Sequence, residues 1–244
     1  MTQALYDTLR RVTTGTITTM LLKKGIRRCW MHGPMPLGGD GGRRIVGPAF
    51  TMRFIPVRED LATPESWSKP ISTRGAIEAM PEGCIAVADA MGVTTAGIFG
   101  DILTMRMQRR NVAALVTDGV IRDKAGVLAS KLPTWCAGVA APASVNGLTF
   151  VGWQEPIGCG GCAIFPDDVI VCDDDGAVVI PQNLVEFVAQ EGAIVIPRTS
   201  KVERLTENLE AADFELDDVE MDEIRKLAHP RGRIVTMGSA PEWD

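Results

Sequence analysis

The sequence offers few of the side chains that build a zinc site. It holds only two histidines, His32 and His229, and one C-x-x-C pair, Cys159 and Cys162. Because a structural zinc ion usually takes about four nitrogen or sulfur ligands, this composition disfavours a zinc protein. We interpret Cys159-Gly-Gly-Cys162 as a glycine turn before a strand, in which both thiols pack as small apolar groups.

The sequence also lacks a basic block and a long apolar run. It carries 25 Lys and Arg against 31 Asp and Glu, a net charge of −6, so the clustered cations that contact phosphates are missing. No apolar stretch reaches the ~18 residues of a membrane span, and the beginning of the chain lacks the apolar core of a signal peptide. We therefore expect a cytoplasmic protein with reduced cysteines that binds neither nucleic acid nor membranes.

What the sequence does contain is a β-α-β unit. Two short apolar runs, 85–92 and 112–119, each end in glycine and predict buried strands. Between them, residues 97–111 predict a helix. Its apolar side chains recur on one face, at Phe99, Ile102, Leu103 and Met107.

The remaining elements are read from periodicity and turn residues. A helix is expected over 9–25, a strand over 46–57, and a β-hairpin over 168–181 whose turn is residues 173–176. The three adjacent aspartates of that turn also suggest a calcium loop. The alternating Asp-x-Asp-x-Asp-Gly pattern of such a loop is missing, however, so turn chemistry is the better interpretation.

The β-α-β unit brings a helix N-terminus and the ends of two parallel strands to one sheet edge. The helix start, around Gly97 and Gly100, would present unpaired N–H groups and a partial positive charge to a carboxylate or phosphate. Arg122 and Asp123 follow the second strand closely. We therefore expect these two side chains and the helix amides to converge on one pocket.

Such a pocket would suit a small α-keto acid. Its carboxylate would bind the amides of Gly97, Ile98, Phe99 and Gly100. Asp123 would hold Mg²⁺ or Mn²⁺, Arg122 would stabilise charge on the keto oxygen, and Asp101 would position a water for proton transfer. The alternative is purely structural: Arg122 pairs with Asp123, and Asp101 caps its helix.

A dinucleotide site is a further alternative for the same glycines. Asp118 would then be the acid that binds the ribose, about 20 residues after the glycines. However, Gly92, Gly97 and Gly100 do not match the G-x-G-x-x-G spacing. The spacing therefore disfavours this alternative.

Residues 96–123 also carry a family resemblance. They combine Gly-x-x-Gly-Asp, a helix, an apolar strand and Asp-Gly-x-x-Arg-Asp, which resembles the signature of the RraA-like family that includes 4-hydroxy-4-methyl-2-oxoglutarate aldolase. The resemblance extends over residues 9–188. It implies a compact α/β/β sandwich that forms homotrimers or homohexamers with pockets between subunits. The matching residues are Gly97, Gly100, Asp101, Asp118, Gly119, Arg122 and Asp123.

The resemblance also implies an activity. Family members include divalent-metal (class II) pyruvate aldolases that often decarboxylate oxaloacetate. By the resemblance, Asp123 matches the metal ligand, Arg122 the residue that binds substrate and enolate, and Asp101 the residue that orients the water. The amides from Gly97 to Gly100 match the carboxylate cradle. The alternative within the family is a non-enzymatic regulator that inhibits a ribonuclease by protein–protein contact.

Two departures from the family pattern stand out. Ala137 occupies a position where the family often has arginine, which predicts an altered substrate preference. The family usually ends in a charged helix whose acidic residue reaches the neighbouring subunit, and no residue here matches it. The sequence therefore predicts an RraA-like domain over 1–188 and a separate extension over 189–244.

The extension, residues 190–244, resembles the C-terminus of aldo-keto reductases, which grips the 2′-phosphate of NADPH. Reductase chemistry in that family needs a catalytic tyrosine on a (β/α)₈ barrel, whereas the only tyrosine here is Tyr6. We therefore expect a helical extension that covers the domain or contacts another subunit. The positions that match the NADPH-binding residues are Arg198, Thr199, Arg204, Glu207 and Asn208.

Overall fold

The computed structural model describes residues 3–38, 44–191, 219 and 223. By its internal contacts the chain divides into two compact units, Met1–Ile194 and Val195–Asp244. In the second unit the described residues, Val219 and Glu223, are helical. The five positions from Arg198 to Asn208 that match aldo-keto reductases lie outside the described residues. The helical extension over 189–244 therefore stays a prediction.

The first unit alternates helices and strands. Its α-helices are α1 (Gln3–Leu9), α2 (Thr14–Lys23), α3 (Thr73–Ala79), α4 (Asp101–Arg109), α5 (Lys124–Ser130) and α6 (Val185–Glu191). Its strands are β1 (Met35–Pro36), β2 (Ile45–Pro56), β3 (Ile85–Asp89), β4 (Ala114–Thr117), β5 (Val120–Ile121), β6 (Thr134–Cys136), β7 (Gly138–Val139), β8 (Leu148–Trp153), β9 (Val169–Asp173) and β10 (Gly176–Ile180).

The long strand β2 organises the main sheet, whose order is β1-β6-β4-β3-β2-β9-β10 with β8 also paired to β2. Residues 45–48 of β2 pair with β9, residues 49–53 with β3, and residues 52–56 with β8. Strands β3, β4 and β6 run parallel to one another. The parallel β3 and β4 confirm the predicted β-α-β unit and place both carboxyl ends on one edge.

Both faces of the sheet are buried. Along β3, Ile85 and Val87 join one apolar cluster, which includes side chains of α1, α2 and α6. Ala86 and Ala88 join a second cluster, which includes side chains of α3, α4 and α5. Burial on two faces explains why these strands are continuous apolar runs rather than alternating ones. The arrangement confirms the predicted α/β class.

Two predicted helices were wrong in their bounds. The expected helix over 9–25 is shorter: α2 begins at Thr14, because Thr13 caps it by accepting the N–H of Thr16 at 3.1 Å, and it ends at Lys23. The second begins at Asp101 rather than Gly97, since Gly100 and the residues before it are not helical. The predicted apolar face also fails at Ile102, which is 78% exposed.

The hairpin and the glycine turn are confirmed. Strands β9 and β10 pair antiparallel, with Asp173 opposite Gly176, and Gly176 adopts the left-handed φ of 118° that its turn requires. Cys159–Gly161 forms a single 3₁₀ turn with Gly160 at φ 58°. Burial raises the pKa of the nearby Cys162 thiol to about 11. All six cysteines are free and buried.

The described ranges include no helix that is both long and apolar enough to cross a membrane.

Asp118, just past β4, fixes the strand ends that lead to the site. Its carboxylate accepts the N–H groups of Ala90 at 2.8 Å, Gly92 at 3.2 Å and Gly160 at 3.1 Å. Burial raises the pKa of Asp118, although the three N–H groups favour its charged form. A buried carboxylate with these partners is not open to a ribose hydroxyl, so the dinucleotide interpretation of Asp118 is wrong.

We expect Asp118→Ala to lower the free energy of unfolding by about 2–4 kcal/mol, because it leaves three backbone N–H groups without their acceptor. Asp174→Ala, on the exposed hairpin turn, is the matched control and should change it by less than about 0.5 kcal/mol. Urea unfolding followed by circular dichroism measures both. Equal stability of the two variants would contradict the structural role given to Asp118.

Candidate active site

Two backbone hydrogen bonds bring the candidate residues together. The N–H of Ile98 donates to the carbonyl of Val120 at 3.0 Å, and the N–H of Arg122 donates to the carbonyl of Phe99 at 2.9 Å. The segment before α4 therefore runs alongside the segment that follows β4. As a result, Arg122 and Asp123 lie at the N-terminus of α4, as the sequence predicts.

Gly97 and Gly100 permit this close approach. A Cβ at position 97 would lie 2.8 Å from both the backbone N and the Cβ of Arg122, and a Cβ at position 100 would lie 2.8 Å from Oδ2 of Asp123. The sequence placed both glycines at a helix start that is expected to bind an anion. The structure gives them a second reason, which is contact between two segments of the chain.

Asp123 is held in an unusual backbone conformation. It is the N-cap of α5 with φ 53° and ψ 46°, in the left-handed region, yet its side chain makes no capping hydrogen bond. Its Oδ2 instead accepts from Nε of Arg122 at 2.9 Å, and the two side chains are 44% and 38% exposed respectively. Asp123 therefore gives up a capping bond to present its carboxylate beside Arg122.

The energetics of this pair argue against a purely structural role. An ion pair this exposed typically contributes about 0–1 kcal/mol. A non-glycine residue in a sparsely populated backbone region typically costs about 1–3 kcal/mol, somewhat less for aspartate, and such residues cluster at functional sites. Stability alone therefore does not account for the conformation of Asp123.

One cavity of about 350 Å³ gathers most of the predicted site residues. This volume is at the small end of the roughly 300–1,000 Å³ of small-molecule sites. Its predicted lining residues are Gly97, Ile98, Gly100, Asp101, Arg122 and Asp123. Phe99 does not line it, because its side chain is fully buried.

Fewer backbone amides are free to bind a carboxylate than the sequence predicts. The N–H of Gly97 donates to Pro142 at 2.8 Å, and that of Ile98 is used by Val120. These two amides are therefore occupied, which corrects the four-amide cradle. The N–H groups of Phe99 and Gly100 have no acceptor among the described residues. Phe99 is fully buried and does not line the cavity, so of these two amides only that of Gly100 belongs to a residue at the cavity wall.

Asp101 lies where α4 meets α5. Its Oδ1 accepts the N–H of Ile102 at 2.7 Å, and its side chain lies so close to Gly126 that a Cβ there would be 2.5 Å from the Cβ of Asp101. Gly100, rather than Asp101, is the N-cap of α4. Asp101 thus braces the helix start from inside the first turn while it also lines the cavity.

The cavity contains residues that sequence reasoning missed. Trp67, Thr73, Arg74 and Ser144 come from segments outside the β-α-β unit, and no spacing in the sequence links them to it. Ala137, where an altered substrate preference was expected, does not line this cavity. Its Cβ lies instead beside Gly33, at 3.5 Å from where a Cβ would stand at that position.

The donor groups determine which cation fits this cavity. No group of three His, Cys, Asp or Glu side chains that could hold a metal occurs in the part of the chain that the structure describes. Mg²⁺ is commonly bound by one or two carboxylates and otherwise by water and substrate oxygens. The half-exposed carboxylate of Asp123 therefore fits such a cation, and a closed zinc-type site is not formed by the described residues.

Comparisons with known proteins show the family of the chain. The family model RraA-like, described as Aldolase/RraA, matches residues 2–179. A Halalkalibacterium halodurans protein whose name proposes it as a 4-hydroxy-4-methyl-2-oxoglutarate aldolase is 36% identical over 149 residues, 61% of this chain and 65% of that protein. Protein DlpA of Legionella pneumophila is 29% identical over 150 residues, 62% of this chain. The aligned part spans only 23% of DlpA.

A solved structure extends the likeness to the fold. Streptomyces coelicolor RraAS2, described as an unusual member of the RNase ES inhibitor RraA protein family, is 31% identical with a TM-score of 0.69. The match covers 86% of this chain and 97% of that one. It confirms the expected RraA-like sandwich.

The resemblance of the tail to reductases rests on a short match. An aldo-keto reductase of Gibberella moniliformis is 46% identical over 48 residues, which is 20% of this chain and 15% of that protein. Such a fragment shows local similarity and does not carry an activity.

Alanine substitutions at Gly97 and Gly100 test how closely the two chain segments pack. Gly97→Ala should lower the free energy of unfolding by roughly 1–3 kcal/mol, because its Cβ meets backbone of the Arg122 segment. Gly100→Ala should cost less, since the atom it meets is the end of the Asp123 side chain, which can rotate away. Chemical unfolding measures both variants. A larger loss for Gly100→Ala than for Gly97→Ala would contradict this assignment.

Proposed function

The chain belongs to the RraA-like family, and from this premise we propose that it is a divalent-metal lyase that breaks carbon–carbon bonds adjacent to a pyruvate-type group. The supporting observation is Asp123, held in a left-handed conformation next to Arg122 in the cavity that also contains Asp101. The substrates would be 4-hydroxy-2-oxo acids, oxaloacetate, or both.

Substrate binding is assigned to the start of α4. The amide of Gly100 would donate to the carboxylate of the 2-oxo acid, whose negative charge the helix N-terminus also favours. Arg122 would donate to the keto oxygen. Its Nε donates to Asp123, which would leave its terminal nitrogens to donate to the substrate.

A divalent cation held by Asp123, Mg²⁺ or Mn²⁺, would supply Lewis-acid polarisation of the keto group. Arg122 would donate a hydrogen bond to the same keto oxygen. Fixed positive charge near a developing oxyanion is among the largest contributions to catalysis. The αL conformation of Asp123 turns its carboxylate toward Arg122 instead of toward the amides of α5. This orientation would leave the carboxylate beside Arg122 to hold the cation.

Proton transfer is assigned to a water held by Asp101. In the retro-aldol reaction the bond between carbons 3 and 4 breaks, the 4-hydroxyl loses its proton, and a carbonyl forms at carbon 4. The bonding electron pair passes to the pyruvate fragment, which then gains a proton at carbon 3. Oxaloacetate loses CO₂ from the same position, so one arrangement serves both reactions.

A ribonuclease regulator that acts by protein contact is the second candidate. The description of the Streptomyces coelicolor structure favours it, as does the exposure of Ile102, an apolar residue at the edge of the cavity. A contact surface alone does not require a left-handed Asp123 beside a second carboxylate and an arginine. The site geometry therefore favours the lyase.

Asp123→Asn should abolish pyruvate release and leave the fold intact, because a neutral amide is a poor ligand for Mg²⁺ and the side chain is half-exposed. Arg122→Lys should lower kcat/KM by at least roughly tenfold, since lysine cannot reproduce the planar donor fork. Pyruvate release and melting temperature are measured together for both variants. Early melting of Asp123→Asn with wild-type turnover would mean that the pair is structural.

The protein should form a homotrimer or homohexamer. Closed rings cover apolar surface that a single subunit leaves exposed, and Ile102 is such a residue. Light scattering at micromolar concentration measures the mass. A monomer would contradict this expectation, and Ile102→Lys should weaken the assembly if the exposed side chain lies in the contact.

A further inference from the structure

Arg74 adds a second guanidinium to the cavity that holds Arg122. It lies in the first turn of α3 and lines the same cavity as Asp101 and Asp123. Arg74 belongs to α3, which lies outside the β-α-β unit, and none of the roles assigned above involves Arg74.

The natural ion-pair partner of Arg74 is already occupied. Glu78, one helical turn further along α3, accepts from Nε and Nη2 of Arg106 at 2.7 Å each. It also accepts from Arg110 at 3.3 Å. Among the described residues Arg74 has no ion pair, so its charge is not compensated within this part of the chain.

Helix stability does not explain Arg74 either. Ser72 caps α3 by accepting the N–H of Gly75 at 3.1 Å. Arg74 therefore lies at the positive end of the helix dipole, where a cation is unfavourable. Arg74 is exposed, so water solvates its charge, and it is its position at the cavity wall, rather than the lack of an ion pair, that suits it to bind a ligand.

The charges of the cavity point to a doubly charged ligand. Its two arginines, Arg74 and Arg122, balance its two aspartates, Asp101 and Asp123. A divalent cation at Asp123 would leave an excess of two positive charges. A dicarboxylic 2-oxo acid carries two negative charges and would neutralise this excess.

We propose that Arg74 binds the distal carboxylate of a dicarboxylic 2-oxo acid and so selects substrates with a second acid group. This inference rests on the proposed function, which supplies the position of the first carboxylate at the amide of Gly100. Arginine suits the task because its planar fork binds a carboxylate through two parallel hydrogen bonds. Arg74 is thus a specificity-determining residue.

Calorimetric titration with two matched keto acids tests the proposal in the presence of Mg²⁺. 2-Oxoglutarate and 2-oxopentanoate have the same chain length, and only the first has a distal carboxylate. The wild type should bind 2-oxoglutarate roughly tenfold more tightly. Arg74→Gln should bring the ratio of the two dissociation constants close to one, and Arg74→Lys should retain part of it.

Arg109→Gln is the matched control. Arg109 is an exposed arginine of α4 that lines the adjoining groove with Arg74 and not the cavity, and it has no ion pair among the described residues. Arg109→Gln also removes one positive charge from this surface, and it should leave the ratio of the two dissociation constants unchanged. An equal fall of the ratio in both variants would show a general charge effect and overturn the assignment to Arg74.

The remaining outcomes separate this proposal from the proposed function. Pyruvate release by the wild type from 4-hydroxy-4-methyl-2-oxoglutarate and from oxaloacetate tests the lyase, whereas the binding of the two keto acids tests Arg74 without any turnover. Release without any preference for 2-oxoglutarate would overturn only the role of Arg74. A preference that Arg74→Gln removes, without any release, would overturn the lyase and support Arg74. Failure to bind either keto acid would overturn the proposal.

Discussion

The candidate site depends on the backbone contact between the segment that precedes α4 and the segment that follows β4. Two hydrogen bonds, from Ile98 to Val120 and from Arg122 to Phe99, hold these segments side by side. Gly97 makes the approach possible, since any side chain there would meet the Arg122 backbone. The same contact consumes the amide of Ile98 and delivers Arg122 to the helix start. Packing and the proposed function therefore depend on the same few residues.

Local stability and the proposed function place opposite demands on Asp123. Asp123 occupies a left-handed conformation and leaves the start of α5 without a side-chain cap, while its half-exposed ion pair returns little stability. By contrast, Asp118, five residues earlier in the chain, is buried and binds three backbone N–H groups. Two aspartates on either side of β5 thus differ: Asp118 fixes the strand ends, and Asp123 is the residue proposed to bind a cation.

Much of the fold was predictable because its signals are local. Apolar runs that end in glycine gave β3 and β4, and adjacent aspartates before a glycine gave the β9–β10 hairpin. Helix α4 was misplaced, because Ile98 and Phe99 look helical by spacing but pair with a distant segment. Arg74 could not be found, since only tertiary structure brings its helix to the cavity. Local pattern identified Arg122 and Asp123, and long-range contacts decided what surrounds them.

The family contains proteins named for aldolase chemistry and others described as ribonuclease inhibitors, so the central claim is that this chain is a metal-dependent lyase. Its most direct test is pyruvate release by the wild-type protein, first stripped with EDTA, from 4-hydroxy-4-methyl-2-oxoglutarate and from oxaloacetate. Pyruvate should form with at least one of them when Mg²⁺ or Mn²⁺ is restored, and only at the uncatalysed rate without it. Absence of release with either metal, or equal release in EDTA, would contradict the account.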